Sequence, residues 1–393
     1  MGSALPAPTV ARDLRFDSLR GLLIVCMAMN HIETPLRLVS DQPHGFVSSA
    51  EGFVFLSGFI AGWVYSRKRE RGGDALLASG AQHRAGQIYV WHMATFFTSL
   101  ALMTVVVLAT QEAPPLLPAL FAFNPWMAIV TGSLLLYQPG LLDILPMYCG
   151  FMLFLPWILR ASAAGRAREI VLGSGAVWLL TQQFLPGAPV VIGPLNTGSF
   201  NLFAWQFLFV AGAVFGAEKA AGRLRFPLRS GWIAAAFLAA IGFWYLHRGA
   251  LADVWPESVD FLVNKTKLAP LRLANFALIA YLIAACAARF PRWFTWAPFA
   301  FVGQHALPVF ALQSVLAMTI LAFSNFFFTP VGQWVATALM LGCLFGTAAI
   351  HAQWIKRHRT RKTHPVSLAS RDGRSSAAPH VARTSAPSGQ LHP

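Results

Sequence analysis

The stretch 88–110 reads IYVWHMATFFTSLALMTVVVLAT, twenty-three residues without one Asp, Glu, Lys or Arg. At 1.5 Å per residue a helix of that length reaches about 34 Å, enough to cross roughly 30 Å of hydrocarbon. Working outward, further apolar runs lie near 19–37, 51–66, 142–160, 169–186, 201–217, 231–247, 269–289, 297–322 and 331–355. Of 393 residues, 56% are hydrophobic and 11% charged, against about 25% charged in an ordinary soluble domain. Charges sit in short clusters between the runs, a pattern that suits only lipid. The sequence therefore predicts an all-α, polytopic integral membrane bundle of about ten transmembrane helices. Its organisation reads as a cytoplasmic N-terminal segment (1–18), a membrane domain (19–355) and a disordered basic cytoplasmic tail (356–393). The apolar segment 121–137 is bracketed by Pro114, Pro115, Pro118, Pro125 and Pro139. It reads as re-entrant or interfacial, with an eleventh span as the alternative.

The charge pattern orients the bundle. Net charge is +15, which in a soluble chain suggests a nucleic-acid partner; in a membrane chain, Lys and Arg collect in loops that resist translocation. With both termini cytoplasmic, only Arg37, Arg248, Lys265, Lys267 and Arg272 of the 30 Lys and Arg fall outside. The alternation supports an even number of spans and a lipid partner, with no nucleic acid. Cys26, Cys149, Cys286 and Cys343 all fall within apolar runs and lack metal-ligand spacing. No phosphate-cradling glycine loop, zinc-protease His pair or nucleophile elbow occurs, and no metal site is expected. Asn30, His31 and Glu33 interrupt the first run and no small-residue cleavage site follows, so it reads as an uncleaved span.

Ionisable groups inside a bilayer are costly and point to function. Arg20 and His31 lie eleven residues apart, about three helical turns, so they share one face about 16 Å apart. Arg20 fits a phosphate-binding cation near the inner boundary, or a topology anchor paired with Asp17. His31 fits a base or nucleophile deeper in, or a helix-packing hydrogen bond. Glu51 opens the second run and could orient His31, or simply answer its helix dipole; Glu33 and Asp143 are alternative carboxylates. Ser57, Gly58 and Gly62 read as a close-packing stripe. The topology sorts the remaining groups into two layers. Arg20, Arg84, His92 and His305 lie toward the cytoplasm, a set suited to phosphates. His31, Glu33, Glu51, Asp143, Lys267 and Arg272 lie toward the outside. Asn30, beside His31, joins the substrate-contacting set. Lys267 and Arg272 suit a carboxylate or a sugar, though Arg272 equally fits snorkelling. Trp205 and Gln206 suit stacking on and bonding a sugar ring, with an interfacial aromatic belt as the alternative for Trp205.

Several of these residues fall within stretches that, as a set, resemble a known family. These are Arg12-Asp13-Leu14-Arg15-Phe16-Asp17-Ser18-Leu19-Arg20-Gly21 leading to Met29-Asn30-His31-Ile32, the stretch from Ala50 to Phe59, and Asp143-Ile144-Leu145-Pro146-Met147-Tyr148. Phe203-Ala204-Trp205-Gln206, Leu268-Ala269-Pro270-Leu271-Arg272 and His305-Ala306-Leu307-Pro308-Val309-Phe310 complete the set. Over residues 12–355 the chain resembles the OpgC-type proteins, a branch of the acyltransferase-3 membrane enzymes that share an Arg and a His separated by ten residues in the first span. Arg20 and His31 match that pattern. The resemblance implies O-acylation, succinylation in the family's named activity, of osmoregulated periplasmic glucans or another glycan at the bacterial inner membrane. Acyl-CoA, succinyl-CoA in that activity, would be co-substrate, with no permanently bound cofactor, and glucan-synthesis proteins would be partners. A transporter using the same buried charges is the main rival reading, and a non-catalytic member of a glucan-synthesis assembly is a third.

Overall fold

The computed structural model describes residues 13–111, 119–184, 191–192, 195–196, 198–248 and 260–363. Residues 1–12, including Arg12, the prolines at 114, 115 and 118, and the tail from 364 lie outside the described residues.

Helix α1 (Leu14–Asn30) starts where the Asp13 carboxylate accepts the Arg15 N–H, and it stops at His31. The expected run to 37 is shortened because Pro35 disfavours helical geometry at Thr34 and clashes with the His31 carbonyl. A single turn, α2 (Arg37–Ser40), follows. Helix α3 (Ser49–Thr110) has 62 residues, which would extend about 93 Å if straight. It is folded back on itself: Gly73 has φ +68°, and the Tyr65 hydroxyl donates to the Gly80 carbonyl across the break at 3.2 Å. Fifteen residues along a straight helix would be about 22 Å apart, so 49–71 and 74–110 form an antiparallel hairpin.

Two short helices, α4 (Ala119–Phe123) and α5 (Pro125–Ser133), take the apolar segment at 121–137. Asn124 caps α5 through Met127 N, and nine residues reach only about 13 Å, so no eleventh span forms there. The α5 end lies on α3, with Tyr89 Oη donating to the Ser133 carbonyl at 3.0 Å. Helices α6 (Ile144–Ala161) and α7 (Ala167–Phe184) meet at a break where Gly165 has φ +83°. A two-residue antiparallel ladder, Val191–Ile192 with Leu195–Asn196, precedes α8 (Leu202–Ala220).

The α3–α8 contact is the most extensive in the bundle for a reason written in both helices. A Cβ at Gly58 or Gly62 would run into the carbonyls of Phe209 and Ala213, and one at Gly212 or Gly216 into those of Phe55 and Phe59. Small residues four apart on both partners let two backbones touch, which is how helices associate where no hydrophobic drive separates protein from lipid. Helix α9 (Ser230–Arg248) stands almost wholly on the periphery, followed by α10 (Asp260–Val263) and α11 (Pro270–Arg289). Helices α12 (Ala297–Gln304) and α13 (Ala306–Ala322) bend by 89° at His305, so the expected continuous span at 297–322 is broken. After α14 (Ser324–Phe327), α15 (Pro330–Thr363) continues helically through Lys356, where an unstructured tail was expected. The chain divides into two compact units, Met1–His351 and Ala352–Pro393.

Among the described residues six helices are long and apolar enough to cross a membrane, and seven if the bent pair is one span. Two of the six, Ser49–Thr110 and Ile144–Phe184, each contain two of the ten expected segments, and α1 has 17 residues. Each of the ten expected segments contains helix among the described residues. Exposed Trp126, Phe154, Trp157, Leu238 and Trp334 would be an aggregation hazard in water and are the natural wall of a protein solvated by lipid.

Candidate active site

Polar side chains inside this bundle fall into three groups, distinguished by how many of their atoms are already matched. The first is at the cation-rich end. Gly21 of α1 and Gly303 of α12 face each other so closely that a Cβ on either would strike the other helix's backbone. That approach lets Arg20 reach across: its Nε donates to the Gly303 carbonyl at 2.9 Å, Nη2 donates to the same oxygen, and Nη2 meets Asp17 Oδ1 at 3.1 Å. Arg20 is therefore a clasp between α1 and α12 with its charge answered by Asp17. Two residues beyond Gly303, the buried His305 shares a hydrogen bond with His351, Nδ1 to Nδ1, at 2.8 Å. Arg84 is half-buried on the return limb of α3 and donates to Gln87 Oε1 at 3.1 Å.

His92 is not where the sequence predicts. The hairpin register set by Tyr65 and Gly80 places residue 92 opposite residue 53, twelve steps from the pair on each limb. Leu23 packs at Gly52, so this depth falls between Arg20 and His31 on α1, away from the cytoplasmic layer. The imidazole is fully buried, stacked on Phe96 with centroids 6.2 Å apart, and neither ring nitrogen has a partner.

The second group is a closed clamp. Glu51, fully buried, accepts from Ser48 N at 3.0 Å and Ser48 Oγ at 2.6 Å, closing a capping box at the start of α3. Its other oxygen accepts from Arg272 Nη1 at 2.9 Å. Arg272 also donates to the carbonyls of Phe46 and, at 3.1 Å, Val263, and to Gln42 Oε1 at 3.2 Å. Glu51 was expected to orient His31; its own helix start and Arg272 claim it, and it makes no bond to the imidazole. Arg272 was expected to face a sugar or snorkel outward, and instead fastens α11 to α3 and the 41–48 loop. Such a pair holds its charges because both carboxylate oxygens and all three guanidinium nitrogens are bonded.

The third group surrounds His31, the residue that ends α1. His31 is half-buried, and its Nδ1 lies 3.3 Å from Oε1 of Gln313, a fully buried amide in the middle of α13. Gln313 Nε2 donates in turn to Ser314 Oγ at 3.1 Å, which fixes the amide so that its carbonyl faces the ring. A carbonyl can only accept, so Nδ1 carries the proton and Nε2 presents a bare lone pair. Nε2 makes no hydrogen bond among the described residues. Asp143 is buried at the start of α6, its Oδ2 accepting from Ser199 N at 2.7 Å. The exposed Lys265 ammonium is close enough for both His31 and Asp143 to feel its charge.

Sequence reasoning missed Gln313 and chose Lys267 over Lys265. Gln313 carries a signal, an amide within the otherwise apolar run 306–318, but its partner is 282 positions away. Lys265 is presented by a loop whose carbonyls are held from below: Trp178 Nε1 donates to Leu268, Gln182 Nε2 to Lys267, and Trp205 Nε1 to Lys265 and Thr266. Trp205 was expected to stack on a sugar; it is fully buried and acts as this loop's floor. Gln206 donates to the Ser174 carbonyl and accepts from Ser174 Oγ at 2.6 Å, so it joins α7 to α8 and faces no ligand. Asn30 is closed by Ser40, accepting from Oγ at 2.6 Å and donating to its carbonyl at 3.2 Å. Glu33 pairs with Arg37 at 2.6 Å near the surface.

Compared with known proteins, the chain matches the family model described as OpgC protein over residues 12–360. No curated protein and no solved structure matches it.

Proposed function

The chain belongs to the OpgC protein family, and from that premise we propose that it is a membrane O-acyltransferase carrying an acyl group, succinyl in the family's named activity, from cytoplasmic acyl-CoA to hydroxyls of a periplasmic glucan. Family membership supports a glucan-modifying, acyltransferase-like role for a protein with several membrane-length apolar helices. The observation that carries the mechanism is the free Nε2 of His31, held by Gln313 at 3.3 Å through the opposite nitrogen.

Two orders of events use the same atoms. In direct transfer, Nε2 takes the proton of the acceptor hydroxyl as its oxygen attacks the thioester carbonyl; the C–S bond then breaks and the thiolate recovers the proton from the imidazolium. In two-step transfer, Nε2 attacks the thioester and CoA thiolate leaves; the hydroxyl oxygen then displaces the imidazole from the acyl group, and its proton passes to the freed Nε2 and on to the thiolate. Gln313 fixes the tautomer in both but, being neutral, does not raise basicity as a carboxylate would. Lys265 stands where an anionic acyl group or acceptor near His31 would meet a cation. The bilayer of a bacterial inner membrane, with both termini cytoplasmic, places donor and acceptor on opposite sides, and glucan-synthesis proteins would supply the acceptor.

Reconstituted protein carrying His31→Ala should lose acyl transfer from succinyl-CoA to purified glucan; undiminished turnover would remove His31 from the mechanism. The 89° break at His305 gives a transport reading its specific footing, since broken helices line substrate paths in transporters. Flux of glucan or succinate into vesicles lacking any acyl donor would establish that rival.

A further inference from the structure

At the cation-rich end, the structure gathers unneutralised charge around one indole. Trp63, on the first limb of α3, has the Arg67 guanidinium 5.5 Å from its ring centroid and the Lys219 ammonium of α8 at 5.0 Å. Both cations lie within 5.5 Å of the same point, so they are no more than 11 Å apart. Phe16 of α1 closes the group edge-on to Trp63 at 5.5 Å, with Lys219 5.6 Å from its own ring.

Two neighbouring carboxylates are already committed, and Glu70, three residues along α3 from Arg67, is exposed. Glu218 takes Arg223 at 2.8 and 2.7 Å. Asp13 takes Arg15 at 2.9 and 2.7 Å, and this hydrogen bonding holds its carboxyl below the usual range. Lys219 reaches Asp13 only as a distant charge. Counting Asp13 and Arg15 as cancelling, the group retains two positive charges. The buried Trp63 Nε1 also has no hydrogen-bond acceptor. Arg20, the cation that the sequence nominates for phosphate, is by contrast bonded to Asp17 and the Gly303 carbonyl.

We propose that Arg67 and Lys219, seated on Trp63, form a phosphate-binding site at the cation-rich end of the α3–α8 pair. A doubly charged anion would neutralise the group, and paired Arg and Lys donors suit phosphate oxygens. Two sources carry that chemistry: the nucleotide head of an acyl-CoA donor, in which case the inference rests on the acyl-transfer reading, or the headgroup of an anionic phospholipid, in which case it stands apart from it.

The test uses the full chain in phosphatidylcholine nanodiscs, with coenzyme A titrated calorimetrically and phosphatidylglycerol retention read by native mass spectrometry. The double variant Arg67→Gln/Lys219→Gln should weaken one of these probes by about tenfold or more, while Arg229→Gln, a cation outside the Trp63 group, leaves both unchanged. Loss of coenzyme A binding assigns the site to the donor, and loss of phosphatidylglycerol assigns it to lipid. Binding of both probes at wild-type strength by the double variant, or of neither by the wild type, overturns the site. Should the double variant fail to purify, Lys219→Glu alone carries the same expectation. Transfer assayed with His31→Ala reports on the catalytic reading independently of either result.

Discussion

The Glu51–Arg272 clamp and the His31–Gln313 pair both bury polar atoms, and they differ in what is left over. In the clamp each Glu51 oxygen has a donor, and Arg272 reaches three acceptors besides the carboxylate. Both carboxylate oxygens and all three guanidinium nitrogens are engaged, so the clamp is architecture. In the His31 pair, one nitrogen is fixed and the other is bare, at a half-buried position within reach of an exposed cation. In a low-dielectric interior an unmatched atom is expensive, so one left open at a half-buried position is where chemistry should be sought.

Substitutions at these residues press on that contrast, in falling order of effect. His31→Ala should lower acyl transfer by about 10²–10⁴-fold, the range for a lost general base, with the melting temperature unmoved. An equal loss of stability would put His31 with the clamp. Glu51→Ala should do the reverse, costing about 3–5 kcal/mol of stability by stranding a buried guanidinium, as read from thermal unfolding in detergent. Pairing Glu51→Leu with Arg272→Met should recover much of that stability, because both charges then go together. Gln313→Leu should reduce kcat by about tenfold, the value of one hydrogen bond that orients a catalytic ring, and Gln313→Asn should restore little because its carbonyl is one methylene short. His92→Leu is the sharpest trial of the rule, since both its nitrogens are unmatched but no route to them is visible. We expect a gain in stability of about 1–2 kcal/mol and transfer within about twofold of wild type. A marked fall in transfer would move His92 into the open class and show that a path runs between Arg20 and His31.

Much of the architecture is readable from residue order because hydrocarbon thickness and helix rise fix the length of an apolar run. The glycines of α3 at 58 and 62 announce a close neighbour; that the neighbour is α8, with matching glycines at 212 and 216, requires the fold. Depth along a span is legible only if its start is known. A span expected to begin near 88 puts His92 close to the cytoplasm, but the helix resumes at 74, after Gly73, and carries His92 deeper. Pairings were the least accessible. Glu51 and Arg272 are 221 positions apart, and the nearer partner, Ser48, bears on the helix-start alternative for Glu51. Trp205 and Gln206 show the same limit: an aromatic and an amide near a surface look like a sugar platform until a loop is seen resting on the one and Ser174 holding the other.

The four-glycine seam between α3 and α8 has a mechanical consequence. Where backbone rides directly on backbone there is no layer of side chains to shear, so these two helices move as one stiff spine. An acyl group travelling from one aqueous face to the other would need its passage opened elsewhere, and the elbow at His305, which joins the Arg20 clasp to the helix bearing Gln313, is the joint placed to swing.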